Sequence, residues 1–231
     1  MSDGALRDDP ISPEVTGSER VFAGRVWDIR RETFLLDGTE IARDFVDHTG
    51  AVAVLARDER DRVLLIKQYR HPVRLRDWEL PAGLLDVEHE DPLLAAQREL
   101  AEETDLVAET WNLLTEFMTS PGGSNEVLRV YLARGVSAAP VVHERTEEEA
   151  GIELRWVPLD EAVDAVLARD VQNSILAIAV LAADAGRARG WRTLGDPHTP
   201  WTRHPRWRDD GSLGERAESG PGDSTGEHGR A

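Results

Sequence analysis

The chain has 231 residues, room for one catalytic domain with an attached element or at most two small domains. Forty per cent of it is hydrophobic, and 44 acidic residues outnumber 27 basic ones for a formal charge of −17. A field of that sign repels nucleic acid and anionic membranes, so neither is an expected partner, and the absence of cysteine excludes disulfides, thiolate zinc sites and cysteine nucleophiles.

Residues 1–18, MSDGALRDDPISPEVTGS, are polar with Pro and Gly and read as a flexible leader that lacks the basic start and apolar stretch of a signal peptide. The most continuous apolar run, 175–183, is too short to span a membrane. The cytoplasm is the expected compartment. Residues 19–47 form a strand-rich element with Asp37-Gly38 as a hairpin turn. Two apolar strands follow, 51–56 and 63–69, joined by a charged turn. After Pro81-Ala82-Gly83 comes a loop, then a helix from Asp91-Pro92 to about 103, with Asp as cap and Pro at the first helical position. A strand pair is expected at 112–118 and 126–133, then an acidic loop, HERTEEEAG, and a strand at 152–157. Two helices, 159–168 and 174–188 with Asn173 as cap, close a domain spanning 48–190. Residues 191–231 are rich in Gly, Pro, Ser and charge and read as a tail with little fixed structure. This order of elements indicates α+β or a three-layer α/β/α sandwich.

The informative stretch is PAGLLDVEHEDPLLAAQRELAEETDL, 81–106. On a helix Glu99 and Glu103 lie one above the other, Glu102 sits on the same flank, and Leu93, Ala96 and Leu100 face the core. Three carboxylates on one arc repel one another, a cost that a cation offsets. Ligands that are all oxygen select a hard ion, Mg²⁺ or Mn²⁺, over zinc. Arg98 is spaced to pair with Glu102 one turn on. Taken alone, RELAEET is the pattern of a solvated helix face. Its register against the preceding glycine loop changes that reading.

The segment resembles the Nudix box: Gly, five residues, Glu, seven residues, then Arg-Glu-apolar-x-Glu-Glu-x-Gly-apolar. Gly83, Glu90, Arg98, Glu99, Leu100, Glu102, Glu103 and Leu106 occupy its places. There are two departures. Six residues separate Gly83 from Glu90, and the second glycine is Asp105, at a helix end where Asp tolerates a left-handed conformation better than most residues. The resemblance implies a Nudix-type α/β/α sandwich with a mixed sheet, preceded by the small strand-rich element. It also implies metal ligation by the Ala82 carbonyl, Glu99 and Glu103, with Glu102 serving a further ion. Glu90 and Arg98 take a structural role as a salt bridge, and Gly83 and Leu84 line the substrate.

Two further features resemble the ADP-ribose pyrophosphatase branch: Pro121 in Ser120-Pro121-Gly122, about fifteen residues beyond the box, and the strand ending Lys67-Gln68-Tyr69-Arg70, whose arginine would reach the diphosphate. The resemblance implies Mg²⁺-dependent hydrolysis of ADP-ribose to AMP and ribose 5-phosphate. Trp27 and Arg43 are candidates to sandwich adenine. The general base is expected in the acidic loop, at Glu149 with Glu148 next, among Glu144, Glu147, Glu148 and Glu149. The N-terminal element, which cannot bury its apolar face alone, implies a homodimer. His48, His71, His89 and His143 show no metal-ligand spacing. The alternatives are hydrolysis of another sugar nucleotide such as ADP-glucose, and a non-catalytic domain that senses ADP-ribose compounds. The intact helix glutamates argue against the second.

Overall fold

The computed structural model describes residues 5–142 and 151–205. Its first unit is an antiparallel sheet of β1 (Glu14–Phe22), β2 (Asp28–Leu36) and β3 (Thr39–Asp47), paired in that order. Asp37 and Gly38 both adopt positive φ, 50° and 77°, the two-residue turn whose twist matches the flanking strands. β1 begins at Glu14, inside the stretch whose composition suggests a leader. Its polar sequence EVTGSERVF is ordered by pairing with β2, Glu14 opposite Leu35, and not by burial. The sheet leaves Val15, Val21, Phe22 and Leu36 exposed.

The second unit is a seven-stranded sheet whose central path is β10 (Glu153–Pro158), β5 (Arg62–Arg70), β4 (Ala51–Arg57), β9 (Val127–Ala138), β8 (Leu106–Met118). β4 and β9 run parallel and the other neighbours antiparallel, so the sheet is mixed. β4 is an unbroken apolar run because both of its faces are covered. Val52, Val54 and Ala56 pack against α1 (Pro92–Thr104). Ala51, Ala53 and Leu55 point the other way, into α2 (Leu159–Ala168) and α3 (Ser174–Ala188). The result is an α+β fold in three α/β/α layers.

β4 and β5 are paired only at their hairpin end, Arg57 with Val63. Beyond that pair each strand takes another neighbour. β6 (Leu75–Glu79) adds to β5, and β7 (Ala82–Leu84) adds to β4, with Ala82 opposite Ala53 and the Val54 N–H donating to the Pro81 carbonyl at 2.8 Å. Neither short strand has a legible alternation of its own. Their place between the diverging strands is what brings the glycine loop over α1.

Both departures from the motif are accommodated by left-handed residues. Asp105 caps α1 at φ 56°, its N–H bonded to the Ala101 carbonyl at 3.0 Å. The additional loop residue is taken up in a turn where His89 has φ 62° and the Glu90 N–H reaches the Val87 carbonyl. Asp91 caps the helix start by accepting from the Leu93 N–H at 2.8 Å.

Composition suggests no fixed structure from residue 191 on, whereas residues 191–205 lie packed along the domain. Gly195 and Leu113 exchange backbone hydrogen bonds of 2.9 and 3.1 Å. Trp201 is buried over the Arg129 guanidinium, 4.7 Å from ring centre to Cζ, and Arg129 donates to the Thr199 carbonyl. His204 is buried too, its Nε2 3.1 Å from the Thr49 carbonyl. Gly50 (φ 81°) makes room for it, since a Cβ there would stand 2.4 Å from His204 Nε2. Single aromatic anchors hold this segment, not periodic apolar residues, so the pattern of its sequence does not announce it. Trp201→Ala should therefore destabilise the protein by about 3–5 kcal/mol, the usual cost of truncating a buried Trp. Urea unfolding measures this, and an unchanged midpoint would mean that the segment contributes nothing.

Candidate active site

The helix arc forms as its spacing predicts. Leu93, Ala95, Ala96 and Leu100 are buried against the sheet, which leaves Glu99, Glu102 and Glu103 on the side that meets β7. Glu103 is itself buried and accepts from the Ala82 N–H at 2.9 Å. Glu99 lies against Gly83 so closely that a Cβ there would stand 2.0 Å from its carboxyl carbon. Only glycine fits that contact, whatever its backbone angles.

Arg98 organises the rest. Its Nε and Nη2 donate to the two Glu90 oxygens, each at 3.0 Å, and its Nη1 donates to Glu99 at 2.7 Å and to Glu102 at 3.0 Å. One guanidinium thus joins three carboxylates. The bond to Glu90 contributes most to raising its pKa well above the ordinary arginine value, and burial opposes the rise. The expected salt bridge between Glu90 and Arg98 is present, and the expected pair with Glu102 beside it.

Oxygen donors alone make up the cluster, so by donor chemistry it fits a hard divalent cation. Among the described residues no three such groups converge at ligand distance, because Arg98 draws Glu99 and Glu102 while the Ala82 N–H draws Glu103. Glu99, Glu102 and Glu103, with the backbone at Ala82, are the oxygen donors here that could hold such an ion.

Arg70 ends β5 in a two-pronged pair with Glu79 of β6, both contacts 2.7 Å. That pair is the main cause of its raised pKa, which burial opposes and the nearby charge of Glu103 supports. Arg70 therefore stands beside the helix carboxylates. Glu79, buried and two positions before Pro81, is a site residue that sequence reasoning missed. Its signal was one of two carboxylates in DWELPAG, Asp77 and Glu79, on a strand too short to be recognised. Leu84 is half-buried and packs toward the layer of α2 and α3.

The adenine candidates are not brought together within one chain. Trp27 stacks on His48 with centroids 5.4 Å apart. Arg43 is exposed on β3 opposite Glu32, while Asp28, next to Trp27, pairs with Asp47. Five residues separate Trp27 from Glu32, the residue level with Arg43, about 17 Å of extended chain. Glu148 and Glu149 lie outside the described residues, as do Glu144, Glu147 and His143. The chain re-enters at Gly151, whose carbonyl accepts from Arg76 Nη2 at 3.0 Å.

Comparison with known proteins is consistent with this geometry. Residues 47–177 match the NUDIX domain family. The chain is 43% identical to an ADP-ribose pyrophosphatase of Mycobacterium tuberculosis over 74% of its own length and 83% of that protein's. It is 35% identical to an ADP-ribose pyrophosphatase of Bacillus subtilis, covering 74% of this chain and 91% of the other. A crystal structure of an ADP compounds hydrolase superposes with a TM-score of 0.65 at 18% identity, over 80% of this chain and 99% of that one, and shares the fold. A glycine loop locked onto a helix of glutamates, in a chain with these relatives, belongs to the Nudix family, and the protein is a Nudix hydrolase.

Proposed function

We propose that this chain hydrolyses the diphosphate of ADP-ribose to AMP and ribose 5-phosphate, using Mg²⁺, or Mn²⁺ in its place, held by Glu99, Glu102, Glu103 and the Ala82 carbonyl. The observation that carries the reading is the Gly83–Glu99 contact with Glu103 on the Ala82 N–H, in a chain 43% identical to an ADP-ribose pyrophosphatase. Hydrolases of this family use divalent metal ions, which screen the diphosphate oxygens and acidify a bound water. Glu90 and Arg98 hold the ligand carboxylates in register, and Arg70, kept in place by Glu79, offers its guanidinium to the diphosphate. Pro121 sits in the turn after β8, where the Gly123 N–H bonds back to the Ser120 carbonyl.

A hydrolysis panel of ADP-ribose, ADP-glucose and nucleoside triphosphates, with products identified by mass, tests this. ADP-ribose should give the highest kcat/KM, and turnover should vanish in EDTA. Glu99→Gln and Glu103→Gln should each lower turnover at least a hundredfold, about 2.7 kcal/mol of barrier, with the fold intact by circular dichroism. A tenfold preference for ADP-glucose, or wild-type rates in EDTA, would refute the reading.

The general base belongs in the acidic loop before β10, at Glu149 with Glu148 next. A carboxylate bound to a cation is a poor proton acceptor, because coordination depresses its pKa, so a separate carboxylate is required. Glu149→Gln should lower kcat strongly while ADP-ribose affinity and the metal requirement persist. Single replacement of Glu144, Glu147, Glu148 and Glu149, with affinities from calorimetry, measures this. Wild-type turnover in all four variants would place the base elsewhere.

The protein is further proposed to act as a homodimer through the sheet of β1, β2 and β3. The exposed Val15, Val21, Phe22 and Leu36, and the distance between Trp27 and Arg43 within one chain, support an adenine site completed by a second subunit. Light scattering should give twice the mass of one chain at working concentration, and a monomer would contradict it.

A further inference from the structure

The N-terminal sheet is set on the catalytic domain by polar contacts and not by a shared core. Among the described residues, neither buried core includes a side chain of β1, β2 or β3. The partner of β3 is the loop between β8 and β9, which lies along the end of that strand at Val46 and Ser124. The Val46 N–H donates to the Gly123 carbonyl at 2.9 Å, and the Asn125 N–H returns to the Val46 carbonyl at 3.3 Å. The Asn125 side chain then uses both ends of its amide. Its oxygen accepts from the His48 N–H at 2.7 Å, and its nitrogen donates to Asp47 at 3.0 Å. Arg30 of β2 donates to the other Asp47 oxygen at 3.0 Å. This place calls for one acceptor and one donor on a short side chain, which an amide supplies and a carboxylate does not.

His48 carries the joint on to Trp27. Its ring is buried and fixed at both nitrogens. Nδ1 accepts from the Gly50 N–H at 3.0 Å, which leaves the proton on Nε2, 3.4 Å from Glu126 in the same loop. The Trp27 ring lies on this imidazole with planes 24° apart, yet the residue is 44% exposed. An open indole therefore rests on a fixed support. The joint also stands at the catalytic end of the sheet. Leu84, Ala51 and Leu128 are level on three neighbouring strands, so the residue after Gly83 and the third residue beyond Asn125 are two strand spacings apart, about 10 Å.

We propose that Asn125 is a positioning residue for the base end of the substrate. Without touching the substrate, it fixes His48 and the N-terminal sheet, and through them the angle at which Trp27 meets an aromatic base. This rests on the reading that the site takes a nucleoside diphosphate sugar. The carboxylates of α1 belong to another element, so the effect falls on binding and not on turnover.

Asn125→Asp keeps the shape of the side chain and turns its donor toward Asp47 into a second acceptor. ADP-ribose titrated into the full chain in EDTA, followed by calorimetry, should bind at least fivefold more weakly in this variant. In the metal-loaded enzyme KM should rise in step while kcat stays within twofold of wild type. Exchanging the pair, Asn125→Asp with Asp47→Asn, restores a donor facing an acceptor, and affinity should return to within twofold of wild type. A general loosening of the structure would not be rescued in this way. On a Trp27→Ala background Asn125→Asp should cause no further loss, because no ring is left to aim. ADP-ribose that binds without being hydrolysed would sink the hydrolase reading and leave this one standing. No saturable binding in the wild type, unchanged affinity in Asn125→Asp, no rescue by the exchanged pair, or additive loss with Trp27→Ala would overturn the proposal. A fall in kcat in place of a rise in KM, or loss of the fold by circular dichroism, would overturn it equally.

Discussion

Position 83 has no room for a side chain. A Cβ there would stand 2.0 Å from the Glu99 carboxyl carbon, so the loop and the helix can meet only through glycine. The rest of the site depends on that contact. It lets β7 lie low enough for the Ala82 N–H to reach the buried Glu103, and the pairing of β7 with β4 carries the register of the sheet into the register of the helix. The divergence of β4 and β5 beyond Arg57 and Val63 is what leaves β7 an edge to occupy. Site and sheet are therefore one constraint seen from two sides.

The electrostatics follow from the same approach. Bringing three glutamates of α1 against a loop that ends in Glu90 would concentrate negative charge on a protein whose formal charge is already −17. Arg98 answers this by fixing Glu90 with two hydrogen bonds and sharing its remaining nitrogen between Glu99 and Glu102. Arg70 and Glu79 form a second closed pair beside Glu103. Arg98 thus holds in place two of the carboxylates proposed to bind the cation, while Arg70 is fixed by Glu79.

The N-terminal sheet and the C-terminal segment contrast in how they attach. The sheet shows exposed apolar residues and meets the domain mainly through backbone hydrogen bonds near Val46 and the Asn125 side chain. Residues 191–205 are fastened by buried Trp201 and His204 and by the bridge at Gly195. That segment also walls one side of an open cavity, opposite the loop at His89 to Asp91.

Local sequence determined the parts that depend on spacing. The caps at Asp91 and Asn173, the hairpin at Asp37-Gly38, the buried β4 and the carboxylate arc of α1 all follow from periodicity and from what a terminus or turn requires. Even the substitution of Asp105 for glycine was legible, because a helix end demands only that φ be positive. Tertiary structure alone decided what depends on distant partners. β6 and β7 exist because diverging strands offer them edges, and β1 because β2 does. Glu79 matters because Arg70, nine positions earlier, folds back onto it. The order of residues 191–205 rests on Arg129 and Thr49, groups far away along the chain that receive single aromatic and imidazole anchors. Spacing along a chain fixes which side chains share a face; what covers that face is set by segments whose own sequence carries no period.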